Sequence, residues 1–71
     1  MTEERRFSLR ELRARKNKTQ AQVAGDLGIS TQTYNAWEQD ISNVAISKVV
    51  AVAEYFGVKL SEISFFTHEH E

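Results

Sequence analysis

The stretch Gln20–Glu38 reads QAQVAGDLGISTQTYNAWE, and its punctuation decides the fold. Thr19 and Gln22 form a capping signal that opens a helix from about Gln20 to Leu27, with Val23, Ala24 and Leu27 as its apolar positions. Gly28 follows directly, where a left-handed residue would end that helix and turn the chain sharply. Ser30 is a good N-cap for a second helix, about Thr31 to Gln39, and Ile29 and Tyr34 have the spacing of a hydrophobic staple across its start. Ala24 is small enough to let the second helix cross the first at near-contact distance. Val23, Leu27, Ile29, Tyr34 and Trp37 then make the inner face of the pair, which leaves Thr31, Gln32, Asn35 and Ala36 facing outward.

That outward face is unusual. A surface helix of a small domain normally carries Lys and Glu, yet Thr31 to Trp37 carries no charge. Amide and hydroxyl side chains are the types that read base edges, and Gln or Asn can bond adenine at two points in the major groove. Any one neutral residue is ordinary on a solvated face. Four positions spaced i, i+1, i+4 and i+5 just after an N-cap point to a recognition surface.

Working outward, Ser8-Leu9-Arg10-Glu11 reads as a capping box, with Phe7 and Leu12 at staple spacing. It predicts a first helix over about Leu9 to Lys16, with Leu9 and Leu12 inward. Asp40 to Val44 reads as a loop. Ile46, Val49, Val50, Ala53 and Phe56 recur at helical spacing, which outweighs the β-branched pair Val49-Val50, and Gly57 ends that fourth helix. A short fifth helix is expected around Leu60 to Phe65. The predicted architecture is one compact all-α, five-helix domain over residues 1–71, with its core at about 8–66 and flexible ends at 1–6 and 67–71.

Seventy-one residues bury only ~60% of their unfolded surface, so the core is thin. There is no cysteine and no zinc-ligand spacing, which leaves helix packing or oligomerisation to supply stability. No apolar run approaches the ~20 residues that span a bilayer, and the charged start leads into no apolar signal core, so a cytoplasmic protein is expected. Net charge is −1, unevenly spread. Residues 1–20 carry seven basic and three acidic side chains, a balance of +4; the rest carry two basic and seven acidic, a balance of −5. That asymmetry suggests one face for an anion. An enzyme is disfavoured: there is no Gly-rich phosphate loop, and both histidines lie in His68-Glu69-His70-Glu71, which reads as a charged tail and not as a metal site. No catalytic residue, metal or cofactor is expected.

Leu9 to Val58, through the segments LRELRARK, TQAQVAGDLGIS, TQTYNAWE and AVAEYFGV, resembles the lambda-repressor-like, Xre-type helix-turn-helix family. The resemblance implies a five-helix fold and a transcriptional repressor that binds double-stranded operator DNA with its third helix in the major groove. It implies that Gln20 binds a phosphate, helped by the helix N-terminus, and that Ser30 and Thr33 touch the DNA backbone. Thr31, Gln32 and Asn35, with Ala36 beside them, would meet bases. Arg13 and Glu38 hold positions that form a structural ion pair in relatives. The loop Gln39-Asp40-Ile41-Ser42-Asn43-Val44 departs from the family's usual Asn-Gly, basic residue and later Pro. Asp40 would repel a DNA backbone there, so phosphate contact falls to Ser42, Asn43 or backbone amides.

A second reading keeps the scaffold and changes its use: a protein-interaction module, antitoxin-like or part of a switch. The acidic second half and the pair Phe65-Phe66 speak for some protein contact. The simplest such contact is a weak homodimer through Phe65 and Phe66, which would set two recognition helices on a two-fold operator.

Overall fold

The computed structural model describes residues 6–65. Four α-helices follow one another: α1 (Leu9–Lys16), α2 (Gln20–Leu27), α3 (Thr31–Gln39) and α4 (Ile46–Phe56). Their ends follow from local chemistry. The Ser8 hydroxyl accepts from the Glu11 backbone N–H at 3.1 Å while the Ser8 N–H donates to the Glu11 carboxylate at 2.9 Å. Thr19 and Gln22 repeat the arrangement at α2. The α1, α2 and α4 helices stop at residues with positive φ, namely Asn17 (59°), Gly28 (76°) and Gly57 (73°). Only α4 starts without a side-chain cap, at Ala45.

The expected fifth α-helix is replaced by a single 3₁₀ turn, Leu60–Glu62. Ile63 then takes an extended conformation and forms an isolated parallel bridge with Phe7. The Phe7 N–H donates to the Glu62 carbonyl at 2.7 Å, and the Ser64 N–H donates to the Phe7 carbonyl at 2.9 Å. Those bonds hold the chain straight where a helix would have curled it. A β-branched Ile beside an available backbone partner favours the extended form.

The core draws Leu9 and Leu12 from α1, Val23 and Ala24 from α2, and Tyr34 from α3. Val49, Val52 and Ala53 of α4, with Ile41 and Ile63, close it. The α4 stripe differs from expectation. Ile46 and Val50 are exposed, at 59% and 38%, while Val52 is buried. The helix is rotated so that Val49, Val52, Ala53 and Phe56 (i, i+3, i+4, i+7) face inward. Trp37 is half-buried against the core, and Tyr34 is the aromatic residue fully enclosed. Of the helix pairs, α2 and α3 make the most extensive contact, with buried Ala24 in α2 as the small residue expected at their crossing.

Candidate nucleic-acid interface

The start of α3 is a well-made N-terminus. The Ser30 hydroxyl oxygen accepts from the Thr33 N–H at 3.0 Å, and its O–H donates to the Thr33 hydroxyl oxygen at 2.9 Å. The donor of Ser30 is thereby used, and the hydroxyl proton of Thr33 is the one left for a phosphate. Thr31, Gln32, Thr33 and Ala36 are exposed, and Asn35 is half-buried. An open groove runs beside this face, lined by Asn17, Lys18, Thr19, Gln20, Ala21 and Thr31. The N-terminus of α2 thus lies next to the N-terminus of α3, and both carry the partial positive charge of unpaired backbone N–H groups.

Behind that face sits a polar network. Arg13 Nε donates to Glu38 Oε2 at 2.5 Å, and Arg13 Nη1 donates to the Lys18 carbonyl at 3.1 Å. One guanidinium therefore ties α1 to the end of α3 and to the turn before α2. Gln20 Nε2 donates to Glu38 Oε1 at 2.9 Å and to Asn35 Oδ1 at 3.0 Å. Burial works to raise the Glu38 pKa, but the bonds from Arg13 and Gln20 outweigh it and hold the carboxyl below its ordinary value. The Tyr34 side chain lies beside this pair. Burial first, and then the Glu38 carboxylate, push its phenol far above the usual range. Its hydroxyl is the buried side-chain polar atom without a hydrogen-bond partner among the described residues.

The loop after α3 is organised by Asp40. Its Oδ1 accepts from the Ser42 N–H at 2.9 Å and from the Ser42 hydroxyl at 2.6 Å, which lowers the Asp40 pKa. Both Ser42 donors are committed there, so of the two loop residues singled out, exposed Asn43 is the better placed for a phosphate. Phe65 is half-buried and packs on the core. Phe66 and the run His68-Glu69-His70-Glu71 lie outside the described residues.

The basic side chains near the N-terminus do not form one anion-facing surface. Arg13 is paired with Glu38, and Lys18 is paired with Asp26 at 2.7 Å. Arg15 lies 4.2 Å over the Phe7 ring, and Lys16 lies 4.9 Å from the Tyr55 ring centre. The Tyr55 hydroxyl also donates to Asp26, at 2.6 Å. Two sets of contacts escaped the sequence reading: this Lys18–Asp26–Tyr55 tie and the Gln20–Asn35 bond. Neither has a periodic signature, because each joins residues on different helices.

A helix-turn-helix family model matches residues 9–63. Among curated proteins, the chain is similar to the cryptic phage CTXphi transcriptional repressor RstR of Vibrio cholerae, 29% identical over 55 residues. That match covers 78% of this chain and 50% of the relative, so the chain spans half the length of the curated protein it matches. No solved structure matches the chain. With the paired α2 and α3, the αL turn at Gly28 and the family match over most of its length, the chain belongs to the lambda-repressor-like, Xre-type helix-turn-helix family.

Proposed function

We propose that the protein is a DNA-binding transcriptional regulator, a repressor, that reads the major groove of an operator with α3. One observation carries this reading: an exposed, uncharged face of Thr31, Gln32 and Ala36 beside half-buried Asn35, next to the α2 N-terminus. The relative's description as a transcriptional repressor supports it. Thr31, Gln32, Asn35 and Ala36 meet bases; Gln20, Thr33 and Asn43 hold phosphates, with Ser30 and Ser42 shaping their neighbours. No enzymatic role is proposed, and a cytoplasmic setting goes with this reading.

Selection of bound sequences from a random duplex pool tests it directly. An enriched motif is expected, and binding should weaken with salt. The salt dependence should be shallow for a DNA-binding domain, since Arg13 and Lys18 are already paired within the protein. Gln32→Ala should cost ~1–3 kcal/mol on the selected site and little on nonspecific DNA. Equal losses on both would remove Gln32 from base reading. A pool with no enriched sequence would sink the proposal.

A weak homodimer belongs to the same reading, with Phe65 and Phe66 as its contacts. In that case the motif is an approximate palindrome with half-site centres about 34 Å apart. Sedimentation at several concentrations, free and on DNA, checks it; a protein that stays monomeric in both removes the dimer. A protein-interaction role is the second reading, favoured by exposed Ile46 and Val50 one turn apart on α4. Replacing both by serine separates the two, because operator binding should survive while contact with a protein partner is lost.

A further inference from the structure

The inference concerns which half of the Asn35 amide faces outward, and it rests on the reading of α3 as the base-reading helix. A side-chain amide has two ends of similar shape and opposite chemistry: the carbonyl accepts and the –NH₂ donates. A chain of four side chains decides the matter here. Arg13 forks onto Glu38, with Nε on Oε2 at 2.5 Å and Nη2 on Oε1 at 3.4 Å. The Glu38 side chain is only 3% exposed, and beside a guanidinium it stays a carboxylate, which only accepts. The Gln20 atom 2.9 Å from Glu38 Oε1 is therefore the amide nitrogen. The same nitrogen lies 3.0 Å from the Asn35 amide, so the Asn35 atom facing it is the oxygen. Each step follows from the charge of the one before.

We propose that this relay locks Asn35 with its –NH₂ turned outward, so that Asn35 reads a keto oxygen, O6 of guanine or O4 of thymine, and discriminates against adenine and cytosine. The two-point bond that Asn makes to adenine needs both ends of the amide. Here the oxygen is turned inward onto Gln20. Adenine offers N7, but its neighbouring amino hydrogen finds no acceptor on the outward side. Cytosine presents an amino donor against a donor. Gln20 and Glu38 are positioning residues in this scheme, and Asn35 is the specificity-determining one.

The experiment compares selections from a random duplex pool by the wild type, Asn35→Ala, Gln20→Leu and Asn35→Asp, with a thermal melt on each. In the wild-type motif, one position that loses its bias in Asn35→Ala should be guanine or thymine. Keto bases there should bind on the order of tenfold tighter than amino bases. In Gln20→Leu the amide is free to turn over, and that ratio should fall toward one. A ratio between bases is insensitive to any uniform loss from a phosphate contact at Gln20. Asn35→Asp keeps the shape and the acceptor for Gln20 but turns an oxygen outward, so the preference should invert to adenine or cytosine; this arm holds if Gln20→Leu does not fold. An Asn35-dependent position that is adenine or cytosine overturns the proposal, as does no Asn35-dependent position at all. A keto preference unchanged in a folded Gln20→Leu, or not inverted in Asn35→Asp, overturns it too. In those cases an enriched motif leaves the DNA-binding reading standing, whereas a wild-type pool with no motif removes both.

Discussion

Tyr34 and Glu38 stand one turn apart on α3 and meet the buried environment in opposite ways. The Tyr34 hydroxyl is enclosed without a hydrogen-bond partner, and leaving a buried donor unsatisfied costs about 1–3 kcal/mol. Tyr34→Phe should therefore melt at the same temperature as the parent or higher; a drop of several degrees would mean that the hydroxyl bonds Glu38 in solution. Glu38 is held in its charged form, with its folded pKa below the ordinary 4.5. A depressed carboxyl pKa contributes stability that is fully present above the unfolded value and disappears as pH falls through the folded one. Thermal melts from neutral to strongly acidic pH should show Glu38→Gln less stable near pH 7, by on the order of 1–3 kcal/mol. The two curves should converge in acid, because the wild type has then lost the same charge. Asp26 and Asp40 are also lowered, so the difference between the two proteins, not either slope alone, isolates Glu38. Parallel curves would refute the assignment. At this scale, the ends of the Arg13–Glu38 pair were legible through a family resemblance, whereas the roles of Tyr34 and Gln20 were not. Their partners lie on other helices.

Among the elements, α2 carries two glycines in different situations. Gly25 lies in the middle of the helix, exposed, and a Cβ there would meet nothing within 4 Å. Gly28 also has open space, but its φ of 76° belongs to the left-handed region. The expected effects have opposite signs. Gly25→Ala should stabilise by about 0.5–1 kcal/mol through helix propensity. Gly28→Ala should destabilise by about 1–2 kcal/mol through backbone strain. Denaturant midpoints of the two variants check the pair, and equal changes would contradict the geometry of the turn. Helix ends were the best-read part of this chain because capping is local: Ser8, Thr19 and Ser30 each bond a residue three positions on. The inward face of α4 was read less well. Ile46 and Val50 are apolar and correctly spaced for a helix, yet exposed, since periodicity gives a stripe and only the neighbours choose how it is turned.

For the molecule as a whole, the segment after α4 decides whether the helices are a closed unit. Ile63 is 1% exposed, and through Phe7 it joins the end of the described chain to its beginning. Ile63→Ala should cost about 2–5 kcal/mol, a large part of the stability of so small a domain. Circular dichroism melts measure this; an unchanged melting temperature would show that the helices stand without the closure. The charge distribution is also settled at this scale. A count along the chain separates a basic first part from an acidic remainder, but folding brings them together as Arg13–Glu38 and Lys18–Asp26.

The sequence by itself determined the four helices, their caps, the turn at Gly28 and the neutral outward positions of α3. These depend on contacts within a few residues or on periodicity along one helix. Only the tertiary structure decided what crosses between elements. It replaced a fifth helix by an extended bridge, because the Phe7 backbone offered Ile63 a partner. It also tied Gln20 to Asn35 and Glu38, 15 and 18 residues away. The hydrogen-bond polarity of the recognition helix is set by that packing, since an amide shows one end to its environment only when a fixed charge behind it claims the other.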